Sequence, residues 1–133
     1  MNESIAAQPP ARWVLWTSRV LSAIPVLMVG FSAVMKIVGA PPVVQSMTAV
    51  FGYPPSLIVP IGLVELACAV LYVIPRTSVL GAVLLTGYLG GAVATHVRLS
   101  DPSFVGPLLF GIMVWVGLYL REPRLRPLLP LRR

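Results

Sequence analysis

The chain has 133 residues, 57% of them hydrophobic and only 11% charged, less than half the charged fraction of about 25% typical of soluble domains. That composition excludes a water-soluble globule, so most of the apolar surface must face lipid. The formal charge of +6 does not mark a nucleic-acid binder. Half of the basic residues, Arg121, Arg124, Arg126, Arg132 and Arg133, follow an apolar run at the C-terminal end, as in a juxtamembrane anchor for anionic headgroups. One cysteine, Cys68, and one histidine, His96, leave no intrachain disulfide and no haem, flavin or metal motif.

Residues 1–12 are polar, broken by Pro9 and Pro10, and read as a cytoplasmic tail. A cleaved signal peptide is not expected: its apolar region would be about 7–15 residues long, and the run 20–35 with its apolar flanks exceeds that. The first span is placed at 13–38, with Trp13 and Trp16 as interfacial anchors, Arg19 snorkelling to the same interface and Pro25 as a kink. Between 39 and 55, Val43, Val44, Met47, Val50 and Phe51 recur at helical spacing while Gln45, Ser46 and Thr48 face elsewhere. This predicts a short amphipathic helix in the outer interface, either a plain connector or a lid over a cavity. The second span, 56–74, is close to the roughly 20 residues needed to cross the hydrocarbon core, and Pro75-Arg76 ends it. The third, 77–97, follows in a tight helical hairpin. The fourth, 104–120, opens at Asp101-Pro102-Ser103 and carries Trp115 and Tyr119 near its far end.

The expected architecture is all-α: a four transmembrane helix bundle over 13–120, with a short interfacial amphipathic helix between helices 1 and 2 and a basic cytoplasmic tail at 121–133. Four spans put both termini on one side. That side would hold Arg12, Arg19, Arg76 and the five C-terminal arginines, against Lys36 and Arg98 opposite. The positive-inside bias places both ends in the cytoplasm, and the protein is expected in the plasma (inner) membrane.

Glu65 is the most informative residue. Nine residues from Ser56 put it about 13 Å deep, near the bilayer midplane, where an ionisable side chain faces the bundle interior. It is either a neutral acid gluing helices together or a group that handles protons or anchors a ligand. Depth matching names Tyr88 as its first-choice hydrogen-bond partner, with Thr86 and Ser32 at similar levels. Lys36 and His96 fall near the outer ends of spans one and three, and Arg98 lies just beyond. Lys36, His96 and Glu65 then line one cavity, with Glu65 and His96 as candidate acid and base and Lys36, Tyr88 and Arg98 as ligand-binding groups. Rigid helices leave about 10 Å of depth between Glu65 and the other two, so contact needs tilt, unwinding near Pro60 or a bridging molecule. Gly87, Gly91 and Thr95, widened by Gly90 and Ala94, form a small-xxx-small ridge expected to admit a neighbouring helix. Cys68, Met28, Met35 and Met113 read as packing residues.

The ordered set Val34-Met35-Lys36-Ile37, Phe51-Gly52-Tyr53-Pro54, Gly62-Leu63-Val64-Glu65, Ile74-Pro75-Arg76-Thr77 and the run from Gly87 to Arg98 ending in Thr95-His96-Val97-Arg98 resembles the DoxX-like family over residues 26–122. The resemblance implies a four-helix integral membrane protein and marks Lys36, Glu65 and His96 as the positions of the family's polar pattern. The family takes its name from a membrane subunit associated with thiosulfate:quinone oxidoreduction. The leading expectation is therefore an intramembrane pocket for a lipophilic small molecule, a quinone or a lipid, with redox or proton chemistry. The alternative is a structural or assembly subunit that binds partner transmembrane helices through the glycine ridge, in a homo-oligomer or a membrane complex.

Overall fold

A computed structural model describes residues 9–130, and Arg132, Arg133 and most of the N-terminal tail lie outside the described residues. The described residues form no strand. The long helices are α1 (Arg12–Ile37), α3 (Ile58–Val73), α4 (Ser78–Arg98) and α5 (Val105–Arg121), and α2 (Pro41–Gln45) lies between the first two. With their adjoining single turns, four segments are long and apolar enough to cross a membrane: Arg12–Ile37, Pro55–Val73, Pro75–Arg98 and Pro102–Arg121. The expected bundle and its span boundaries are thus found within a few residues.

Local chemistry sets the helix boundaries. Proline occupies the first turn of α2 and of the short turns preceding α3, α4 and α5, where its missing N–H is no loss and its fixed φ suits a helix start. Gly39, at φ +69°, follows the end of α1, a left-handed position natural to glycine after a helix. In the α3–α4 hairpin the Thr77 hydroxyl donates to the Leu71 carbonyl (2.7 Å) and Ser78 to that of Ile74 (2.9 Å). These bonds satisfy carbonyls that the helix end leaves without partners. Pro25 is buried inside α1, which runs through it as one helix.

Helix α1 packs against α3 and α5, and α4 packs against the same two, so the long helices form a ring in the order α1, α3, α4, α5. The outside of the ring is apolar, with Leu27 at 71% and Phe31 at 64% exposure, as lipid requires and water would penalise. Trp13 and Trp16 project from the first turns of α1, and the Arg19 guanidinium lies 5.8 Å from the Trp16 ring centroid.

The two ends of the bundle differ. Near the chain termini it is tightly closed. Tyr72, fully buried, donates to the Val114 carbonyl and accepts from Ser22, both at 2.8 Å. Arg121 stacks over the Tyr72 ring at 4.9 Å. A side chain at Gly81 would overlap the Tyr72 backbone, and one at Gly117 would lie 2.5 Å from Ser22 Oγ. At the other end the helices enclose a cavity.

The glycines reverse the expected division of labour. Gly87, Gly90 and Gly91 have nothing within 4 Å of where a Cβ would be, so among the described residues no helix packs into the predicted ridge. The close helix crossings are at Gly62, Gly81 and Gly117 instead.

Candidate functional site

The cavity at the open end has a volume of about 760 Å³, within the range of small-molecule sites. All four long helices and the α1–α3 connector contribute to it. Its polar lining includes Ser32, Lys36, Glu65, Tyr88, Thr95 and His96, and Val29, Met47, Leu89 and Phe110 are among its apolar lining. Gly87 and Gly91 line it as well, so the ridge on α4 leaves space for the cavity where side chains would otherwise stand.

Lys36 and Glu65 are in direct contact. Lys36 Nζ donates to Glu65 Oε2 at 2.8 Å and also to the Ser32 hydroxyl one turn earlier on α1. The two side chains are 9% and 3% exposed, and neither faces the acyl chains. The expected depth gap between them is overturned, and the cause is the helix register. Gly62 lets α1 approach α3 so closely that a Cβ there would stand 2.9 Å from Lys36 Cβ and 3.0 Å from the Ala33 carbonyl. Lys36 therefore sits level with Gly62, one turn from Glu65, and its side chain spans the difference while α3 runs unbroken through Pro60.

Tyr88 lines the same cavity as Glu65. The carboxylate accepts from Lys36 at 2.8 Å, and the Tyr88 phenol lies beside the same carboxylate, close enough to interact with it as well. Thr86 points elsewhere, accepting from Trp115 Nε1 at 2.7 Å on the α5 side of α4.

His96 Nδ1 donates to the Ala92 carbonyl at 2.8 Å. In the neutral ring this leaves the lone pair on Nε2, which faces Asp101 Oδ2 at 4.0 Å. Phe51 packs edge-on against the His96 ring, with centroids 5.1 Å apart. Arg98 does not line the cavity; its guanidinium donates to the Phe51 carbonyl at 2.6 Å. Thr95 donates to the Gly91 carbonyl and accepts from Tyr53 at 2.9 Å. Arg98, His96 and Thr95 thus fasten the connector to the last turns of α4.

That connector is the predicted amphipathic segment, built as α2 running into a single π-helical turn, Ser46–Val50. Pro42, Val43, Ser46, Met47, Phe51 and Tyr53 face the cavity, so the segment roofs it; Ser46, expected on the opposite face, turns inward, and Val50, expected on the apolar face, is exposed, because the π-helical turn shifts the register. The fastening residues Tyr53 and Phe51 carry no sequence signal beyond the Phe51-Gly52-Tyr53-Pro54 motif, in which Gly52 takes φ +77°. Asp101 caps the next turn by accepting from the Ser103 amide at 2.9 Å. Hydrogen bonds from Ser103, chiefly from its backbone N–H, hold the Asp101 carboxyl below the usual carboxylate range.

The fold and cavity together define a small polytopic helical membrane protein. Residues 20–117 match the DoxX-like family model, and the chain belongs to that family. No curated protein and no solved structure matches it.

Proposed function

We propose that the protein binds a lipophilic small molecule whose polar head enters the cavity and meets Lys36, Glu65, Tyr88 and His96. The observation that carries this reading is the ion pair itself: two ionisable side chains buried on a cavity wall inside a membrane-spanning bundle. Such a pair is costly as packing, because apolar residues of the same volume serve stability as well or better, and intramembrane charges mark ligand or proton sites. Lys36 and Glu65 cancel in charge, so the site favours an uncharged head that accepts and donates hydrogen bonds. A quinone fits that description. Lys36 can donate to a carbonyl oxygen, while Glu65 and the Nε2 of His96 can exchange protons with it. These are the parts of quinone-linked redox chemistry that the residues supply.

In this reading the protein lies in the plasma (inner) membrane with both termini cytoplasmic, as the basic residues at the closed end favour. Solvent extraction of the detergent-purified protein followed by mass spectrometry tests the proposal. Wild type is expected to release a lipophile in near-stoichiometric amount, and folded Glu65→Gln to release little. Equal yields from the two would remove Glu65 from the site. A second reading, an assembly subunit that docks partner helices, draws on Gly90, which has open space around it on the outer face of α4.

A further inference from the structure

We propose that the groove between α4 and α5 holds the hydrocarbon tail of the molecule whose head occupies the cavity, making the ligand class a single-tailed amphiphile with an uncharged, hydrogen-bonding head. This rests on the cavity being a ligand site. The groove encloses about 410 Å³ and is lined by Gly90, Val93, Leu108, Ile112 and Val116, among others, with no charged residue.

Three observations point to a tail. First, Leu89 and Pro107 line both the groove and the cavity, so the two spaces adjoin across those side chains, and Leu89 reaches to 3.9 Å from the Cβ position of Gly111 on the facing helix. Second, the polar side chains of the groove are already satisfied. Trp115 Nε1 donates to Thr86 Oγ1, and Thr86 donates to the Ala82 carbonyl, both at 2.7 Å. Nothing there asks for water or a polar group, whereas the cavity wall is polar. Third, the groove follows α5 from Pro107 to Val116, about 13 Å at the helical rise, enough to lay out an extended decyl chain.

Lipid is as apolar as the groove, so the tail adds little affinity, and the informative readout is where it lies. Trp115 reports this once Trp13 and Trp16, both exposed near the start of α1, are replaced by Phe. The probes are a fully substituted benzoquinone without a tail, the same head with a decyl tail, and that decyl compound brominated at its far end. All are titrated into protein held in phosphatidylcholine nanodiscs. The expected result is extra, saturable quenching of Trp115 by the brominated tail, reversed by the tail-less competitor. Gly90→Leu, which projects into the groove from a position with nothing within 4 Å, is expected to abolish that extra quenching and to leave tail-less binding within about twofold of wild type. Ile112→Phe fills the facing wall and should act likewise.

Head binding with non-saturable tail quenching, or with quenching indifferent to both variants, overturns the groove assignment alone. Absence of binding by every probe overturns the cavity reading and the groove with it.

Discussion

Replacing Lys36 and Glu65 singly and together separates a pair kept for binding from one kept for folding. Lys36→Met preserves the unbranched stem that lies against Gly62, so the α1–α3 crossing is retained, and Glu65→Met keeps similar volume. Each single change strands one ionisable group at 9% or 3% exposure, and breaking a buried pair costs about 3–5 kcal/mol. Lys36 retains Ser32 as a partner, and the lower end of that range, about 3 kcal/mol, is expected for each single variant. The double variant removes both charges together and should lie within about 1 kcal/mol of wild type. Additivity would instead put it about 6 kcal/mol down. Reversible unfolding in mixed micelles measures all four proteins, and solvent extraction with mass spectrometry reads the bound lipophile. The expected double variant is folded and empty. A double variant as unstable as the sum of the singles, or one that is folded and still loaded, would refute the reasoning.

Other consequences are open to direct measurement. Gly81→Ala puts a methyl group into the Tyr72 backbone and should cost about 3 kcal/mol or prevent folding; Gly91→Ala meets nothing and should gain about 0.5–1 kcal/mol from helix propensity, as thermal melts in detergent would show. Tyr72→Phe removes the donor to Val114 and the acceptor for Ser22, with an expected loss of about 1–2 kcal/mol; an unchanged melting temperature would contradict the closed-end packing. Because folding depresses the Asp101 pKa, its contribution to the α4–α5 turn is complete above the unfolded-state value and lost as pH falls through the folded-state value. The Ser103 amide shift followed by NMR should titrate below the free aspartate range, and that titration should vanish in Asp101→Asn.

Four spans, their ends and the interiority of Glu65 were legible in the sequence, because the cost of leaving backbone or charge unsatisfied in hydrocarbon acts on each segment alone. The connector was legible as a short amphipathic helix, because its two faces meet different surroundings. The facing of the long helices was not. Lipid and bundle interior are both apolar, so residues such as Leu85 and Leu84, buried and exposed neighbours on α4, look alike in a sequence. The same ambiguity hid the glycines: spacing singled out Gly87, Gly90 and Gly91, whereas close packing falls at Gly62, Gly81 and Gly117. Depth counted along each helix separately could not reveal that Gly62 brings Lys36 down to the level from which it reaches Glu65. Which residues share a depth is set by helix contact, and helix contact is a property of pairs.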